Sequence, residues 1–184
     1  PVRRHEPSRA AAARLATISD TPRLDAELLM AHGLGIEREA MLLNARRLAV
    51  PGAFAGLIER RMAHEPVAYI IGYRDFWTVR IAVAPGALIP RPDSETLIDA
   101  AIAHFGDAGP ATILDLGTGP GTLLIAALDS WPDARGTGVE RSAIARAQAE
   151  GNVAANGMAD RATIMAGDWH DAPQMRGLGL FDLI

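Results

Sequence analysis

The chain has 184 residues, of which 49% are hydrophobic and 22% charged, and its formal net charge at pH 7 is -4. This composition predicts a packed globular core and excludes an intrinsically disordered chain. The acidic balance disfavours a nucleic-acid-binding surface, and the lack of cysteine excludes disulfides and thiolate metal sites. We therefore expect no direct nucleic-acid partner, no bound metal and a cytoplasmic location. No apolar run approaches the roughly 20 residues of a membrane span, and no signal peptide is expected.

The first third of the sequence is typical of a small helical bundle. Thr21 and Pro22 are residue types that favour a helix N-cap and first turn, and this helix is expected to end at Gly33. Its predicted buried stripe consists of residues at helical spacing, Leu24, Leu28, Leu29 and Ala31. Further helices are predicted at about 37–44 and 53–63. Two pairs of arginines are interpreted as solvated helix charges, Arg46–Arg47 and Arg60–Arg61.

The pattern changes near Pro66 from helical to alternating. The stretch 76–83 predicts a strand whose buried side carries Val79, Ile81 and Val83. A turn is expected at Pro85–Gly86. A helix should then begin with Asp93 or Ser94 as its cap and end at Gly106. Its predicted apolar stripe is Leu97, Ile98, Ala101, Ile102 and Phe105.

After Pro110 the sequence alternates between strand and helix patterns. Strands are predicted at 111–117, 136–140 and 162–168, and the final FDLI is expected to begin a fourth strand. Helices are predicted at 122–131 and 142–156. Alternating units of this kind indicate an α/β fold, with a parallel sheet covered by helices on both faces.

The most informative motif lies between the first of these strands and its helix, at Asp115–Gly121. Gly117, Gly119 and Gly121 alternate, so the backbone can turn tightly and stay clear of side chains. A ligand could lie against this loop, at the carboxyl end of the strand. The spacing is GxGxG, whereas dinucleotide sites more often have GxGxxG facing a diphosphate. S-adenosylmethionine has no phosphate, which suits a loop in which Pro120 offers no N–H donor.

Two further strand ends carry side chains suited to a nucleoside. Glu140 follows the second strand and could accept hydrogen bonds from both ribose hydroxyls. After the third strand, Asp168 could accept from the adenine amino group, and Trp169 could pack against the adenine ring. An NAD site uses the same ribose chemistry, and a glycine loop can be only a tight turn, so both alternatives stay open.

These residues stand in a wider pattern that resembles the PrmC/HemK family, the N5-glutamine methyltransferases of peptide chain release factors. The resemblance rests on six segments in order: LDAELLMAHGLG, EPVAYIIGYRDFW, VAPGALIPRPDSETLID, DLGTGPG, GVERS and GDW. It implies a small N-terminal helical bundle plus a β-hairpin, followed by a Rossmann-like class I methyltransferase domain that is incomplete in this chain. The implied boundaries are a substrate-recognition domain at 1–75, hairpin and linker at 76–92, and methyltransferase domain at 93–184.

The resemblance also implies a reaction and a set of site residues. The reaction is methyl transfer from S-adenosylmethionine to the side-chain amide of the glutamine in a release factor's Gly-Gly-Gln motif. The implied cofactor-binding residues are Gly117, Thr118, Gly119, Pro120, Gly121, Glu140, Asp168 and Trp169. Phe76, Trp77 and the 89–92 loop are expected near the methyl-transfer site, although Trp77 could equally be a packing residue.

The sequence departs from the family at one important place. The family's Asn-Pro-Pro-Tyr motif, which orients the acceptor amide, is expected just beyond Ile184. We therefore assign no catalytic residue within these 184 residues, and we expect the fragment alone to show no turnover. Two alternatives stay open: a methyltransferase acting on a nucleic-acid adenine amine, and an inactive fragment that binds release factors.

Overall fold

The structure, a computed structural model, describes residues 6–44 and 47–184. The chain divides into two compact units between Gly72 and Tyr73. This division falls three residues before the boundary expected from the sequence. No helix among the described residues is both long enough and apolar enough to span a membrane.

The first unit is a bundle of short helices, as predicted. Its described helices are α1 (Glu6–Leu15), α2 (Pro22–Leu34), α3 (Arg38–Asn44), α4 (Phe54–Met62) and α5 (Val67–Ile71). The sequence did not predict α5, which is a five-residue helix closed by Gly72 in the left-handed conformation. Apolar side chains from all five of these helices form the core, and it includes Leu15, Leu29, Met41, Ile58 and Ile70.

The C-terminal end of α2 differs from the prediction. The helix continues past Gly33 to Leu34, and Gly35 closes it with a φ of 67°. Gly33 instead permits close packing, because a Cβ at this position would lie 2.8 Å from the Pro51 Cγ. Thr21 occupies the N-cap position, but its hydroxyl donates to Asp25 Oδ1 at 3.2 Å rather than capping the helix.

The buried face of α2 is more polar than its sequence pattern indicated. Leu24 is 38% exposed, which corrects the predicted stripe, whereas Asp25 and Glu27 are each only 6% exposed. Arg61 Nε donates to Asp25 Oδ2 at 2.9 Å, and its side chain is largely buried. Arg61 is therefore a buried ion-pair partner and not a solvated charge. Arg46 lies outside the described residues.

The second unit begins with an antiparallel hairpin of β1 (Tyr73–Phe76) and β2 (Val79–Ala82). Val79, Ile81 and Val83 are buried, as the alternation predicted. The predicted continuous strand is wrong at its start, because Trp77 and Thr78 form the hairpin turn. Trp77 has a φ of 54°, an uncommon conformation for a bulky residue.

The helix after the hairpin is α6 (Glu95–Phe105), and Gly106 ends it as predicted. A short 3-10 turn at Pro92–Ser94 precedes it. Ser94, one of the two predicted caps, occupies the N-cap position, but its side chain makes no capping hydrogen bond. Ile98 is buried, but Leu97 is 58% exposed, so the predicted stripe is too wide by that residue.

The rest of this unit confirms the predicted α/β alternation. Its elements are β3 (Thr112–Leu116), α7 (Thr122–Ser130), β4 (Arg135–Glu140), α8 (Ala143–Ala155), β5 (Ala162–Ala166) and α9 (Ala172–Gly177). The strands are parallel in the order β3-β4-β5. The final FDLI forms a single parallel bridge between Leu183 and Ile113 instead of the expected strand. This bridge lies along the edge of β3 that β4 leaves free.

Candidate functional site

The glycine loop follows β3 and is fixed to the neighbouring strand by its backbone. The Gly117 and Thr118 N–H groups both donate to the Val139 carbonyl, at 2.8 and 3.1 Å. Gly117, Gly119 and Gly121 have φ angles of 77°, 57° and 87°. A side chain would be strained in this left-handed region, so the bend itself requires the glycines.

The three glycines leave room for different neighbours. A Cβ on Gly117 would lie 2.3 Å from the Trp169 ring, and one on Gly121 would lie 3.0 Å from the Ile125 side chain. A Cβ on Gly119 would meet only the Gly117 carbonyl oxygen, 4.0 Å away. Of the three positions, Gly119 is therefore the one with open space above it.

Thr118 and Pro120 stabilise the bend through hydrogen bonds to residues outside the turn. Thr118 is 4% exposed, and its hydroxyl donates to Asp115 Oδ2 at 2.7 Å. Withdrawal from water raises the pKa of Asp115 above its ordinary value, although the Thr118 hydrogen bond acts in the opposite direction. Pro120 is buried, and its carbonyl accepts a hydrogen bond from Asn152 Nδ2 at 2.8 Å.

Glu140, at the end of β4, holds the loop and the next helix together. Its Oε2 accepts from the Gly119 N–H at 3.0 Å, and its Oε1 accepts from the Ser142 N–H at 2.7 Å. Ser142 is the N-cap of α8. Because a carboxylate oxygen has two lone pairs, each Glu140 oxygen keeps an acceptor site for a ligand hydroxyl.

Asp168 and Trp169 follow β5 and face Glu140 across a cleft. The N–H of His170, 3.0 Å from Asp168 Oδ1, and the charge of Arg141 hold the pKa of Asp168 below its ordinary value. Arg141 Nη1 lies 3.4 Å from Asp168 Oδ2. Trp169 is 52% exposed, and its ring lies against the Gly117 backbone. An ionised acceptor and an exposed aromatic ring thus stand beside each other.

The cleft between these strand ends has a volume of about 260 Å³. Four of the residues predicted from the sequence line it, and the lining also includes Val139, Arg141, Gly167 and His170. The other four, Thr118, Gly119, Pro120 and Gly121, do not line it. Gly119 faces open space, and the other three support the loop. Arg141 and His170 were missed by the sequence analysis, although each directly follows a predicted site residue. Among residues 6–44 and 47–184, no three acidic or histidine side chains group as metal ligands do.

The arrangement suits a nucleoside without phosphate groups better than a dinucleotide diphosphate. Glu140 offers paired acceptors for vicinal hydroxyls, and the Trp169 ring offers a stacking face for a base. The Gly119 N–H, which would face a phosphate in a dinucleotide site, is already bound to Glu140.

Two family descriptions match the chain. Residues 8–72 match the PrmC N-terminal domain, and residues 113–184 match a methyltransferase domain. The release factor glutamine methyltransferase of Rhodospirillum rubrum is 41% identical over 168 residues, which cover 90% of this chain and 50% of the relative. The enzyme of the same name from Bradyrhizobium diazoefficiens is 36% identical over 183 residues, or 96% of this chain and 60% of that protein.

The chain spans about half the length of the curated relatives it matches. Among solved structures, an RNA methyltransferase from Salinibacter ruber in complex with S-adenosyl-L-homocysteine is similar, with a TM-score of 0.39. It is 27% identical, and the match covers 46% of this chain and 52% of that one.

Proposed function

We propose, from the premise that this chain belongs to the PrmC/HemK family of methyltransferases, that the complete protein methylates a release factor. The acceptor is the side-chain amide nitrogen of the glutamine in the Gly-Gly-Gln motif. This methylation takes place in the cytoplasm, where release factors act. The strongest support is that relatives named release factor glutamine methyltransferase match most of the chain. Both the N-terminal domain and the methyltransferase domain also match family descriptions.

The cofactor is S-adenosylmethionine, held in the cleft at the carboxyl ends of β3, β4 and β5. When bound, it supplies an electrophilic methyl group on a sulfonium. Glu140 accepts hydrogen bonds from the ribose hydroxyls through the lone pairs that its backbone partners leave free. Trp169 packs against the adenine, and Asp168 offers an ionised acceptor beside it. The open space above Gly119 admits the remainder of the cofactor.

The N-terminal helical unit recognises the protein substrate. Its match to the PrmC N-terminal domain covers residues 8–72, almost the whole unit. The net charge of -4 supports a protein acceptor rather than a nucleic acid, because a nucleic-acid substrate would favour a basic surface.

Calorimetry with S-adenosylhomocysteine tests the cofactor assignment on this chain directly. We expect binding by the wild type and at least about a tenfold loss in Glu140→Gln, since removing one hydrogen bond to a charged group costs about 1.5–3 kcal/mol. Glu150→Gln is the matched control, because Glu150 is an exposed acid on α8 outside the cleft. Equal affinities for the two variants would overturn the placement of the ribose at Glu140.

Radiolabelled methyl transfer by the complete protein tests the acceptor. We expect incorporation into a release factor and its loss when the glutamine of the Gly-Gly-Gln motif is replaced. Incorporation into RNA or DNA, with none into the release factor, would overturn the protein acceptor and favour an adenine amine.

A further inference from the structure

Helix α8 meets the outer edge of β2 through three carboxamide side chains. Gln148 exchanges two hydrogen bonds with the Ala84 backbone, at 3.0 and 3.3 Å. Asn152 does the same with Ala82, at 2.8 and 2.9 Å. Asn156 Nδ2 donates to the Arg80 carbonyl at 3.1 Å. We call this set of three side chains the amide ladder.

The spacing of helix and strand explains why the ladder fits. Four residues of α-helix rise about 6 Å, and two residues of strand rise about 6.7 Å, so successive rungs stay in step. The backbone edge that β1 leaves unpaired is thereby satisfied by a helix, as a third strand would otherwise do. The ladder fixes where the hairpin lies along α8.

Asn152 differs from the other two rungs because it also reaches the glycine loop. Its second Nδ2 hydrogen is donated to the Pro120 carbonyl at 2.8 Å. The side chain is 1% exposed and uses both of its donors and its acceptor oxygen. One buried carboxamide thus ties the hairpin edge to the residue between Gly119 and Gly121.

The turn of the same hairpin is held by α7, the helix that the glycine loop leads into. The Trp77 indole N–H donates to Ser130 Oγ at 3.2 Å, and Thr78 Oγ1 donates to Asp129. The Trp77 backbone N–H donates to Glu95 Oε1 at 2.9 Å. The hairpin, the glycine loop, α7 and α8 are therefore connected by one network of hydrogen bonds.

We propose that Asn152 is a positioning residue that couples occupancy of the cofactor cleft to the hairpin through Pro120 and Ala82. The inference rests on the proposed function, because the hairpin carries Phe76 and Trp77, which the family resemblance places near the methyl-transfer site. A cofactor that orders the glycine loop then also orders the hairpin. Gln148 and Asn156 anchor the hairpin without this link to the loop.

Residue-resolved amide hydrogen exchange on the wild-type chain tests the coupling. We expect S-adenosylhomocysteine to slow exchange of the Ala82 N–H more than that of the Ala84 N–H. The two amides lie on the same edge, but only the first bonds to a side chain that also holds the loop. Equal slowing at both positions would overturn the proposal, since it would reflect a general gain in stability.

Variants give an independent arm of the same test. Asn152→Ala removes three hydrogen bonds, of which only the one to the Pro120 carbonyl reaches the glycine loop. Loss of that bond should weaken S-adenosylhomocysteine binding by about tenfold, whereas Gln148→Ala should change it by less than about twofold. Similar affinities in both variants would contradict the proposal. If Asn152→Ala fails to fold, the wild-type exchange comparison decides alone. A wild-type chain that binds no S-adenosylhomocysteine would instead overturn the proposed function.

Discussion

At the scale of single residues, the three glycines of the glycine loop have different structural roles. Gly117 gives space to the Trp169 ring, and Gly121 gives space to Ile125. Gly119 faces open space while its N–H binds Glu140. Within one GxGxG motif, Gly117 and Gly121 therefore allow close packing, whereas Gly119 faces open space.

Gly119→Ala should separate backbone strain from ligand contact. An alanine at a φ of 57° should cost about 1–2 kcal/mol of stability and should also weaken S-adenosylhomocysteine binding, because its methyl group enters the open space. Urea unfolding and calorimetry measure the two effects. Gly157→Ala is the matched control: Gly157 has a φ of 71° and equally open surroundings, but it follows α8 away from the cleft. Weakened binding in the control as well would contradict the assignment of the open space to the ligand.

At the scale of elements, α2 buries two acids that its sequence pattern does not reveal. Glu27 Oε1 accepts from Arg23 Nε at 2.8 Å, and its Oε2 accepts from Arg38 Nη2 at 2.6 Å. Burial acts to raise the pKa of Glu27, but the hydrogen bonds and charges of the two arginines outweigh it and lower the pKa. The helix is thus fixed to α3 by an ion pair as well as by apolar contacts.

The lowered pKa of Glu27 predicts that the free energy of unfolding depends on pH. Since the folded-state pKa is lowered, the stabilisation by Glu27 is complete above its unfolded value of about 4.3 and is lost as pH falls through the folded value. Glu27→Gln should cost about 1–3 kcal/mol near pH 7, and its deficit relative to wild type should shrink as the pH falls below about 4. Urea unfolding at several pH values measures this. Glu39→Gln, whose acid is 75% exposed and 3.9 Å from Arg38, should have little effect. A deficit that does not change with pH would contradict the ionic role of Glu27.

At the scale of the whole molecule, the two units differ in their tryptophan content, and tryptophan is a natural fluorescent probe. All three tryptophans, Trp77, Trp131 and Trp169, belong to the second unit, which also contains the cleft. Intrinsic tryptophan emission therefore reports on the folding of that unit. Binding of a ligand in the cleft should also change this emission, because Trp169 lines the cleft.

S-adenosylhomocysteine at 100 times its dissociation constant should raise the free energy of unfolding detected by tryptophan emission by about 2.7 kcal/mol. NAD at the same concentration should leave it unchanged, because the Gly119 N–H that would face a diphosphate is bound to Glu140. Chemical denaturation with and without each ligand measures the effect. Stabilisation by NAD alone would favour a dinucleotide site.

The sequence determined the order of the longer helices and of the parallel strands, since hydrophobic period and glycine or proline boundaries are local properties, but it missed the short α5 and the hairpin turn. It predicted the helical first unit, the buried side of β2 and the α/β alternation that the structure confirms. The resemblance to the PrmC/HemK family also followed from sequence alone, and the relatives confirm it. Four predicted site residues, Gly117, Glu140, Asp168 and Trp169, do line one cleft, because the carboxyl ends of parallel strands meet at one edge.

Only the tertiary structure decided which neighbours each residue meets. Sequence periodicity could not reveal that Asp25 and Glu27 are buried, because their burial depends on arginines up to 36 residues away. It could not place Trp77 in a turn or show that Asn152 joins Ala82 to Pro120, 70 and 32 residues distant along the chain. These contacts are long-range polar pairings, and hydrogen-bond geometry in space leaves no periodic trace in the order of residues.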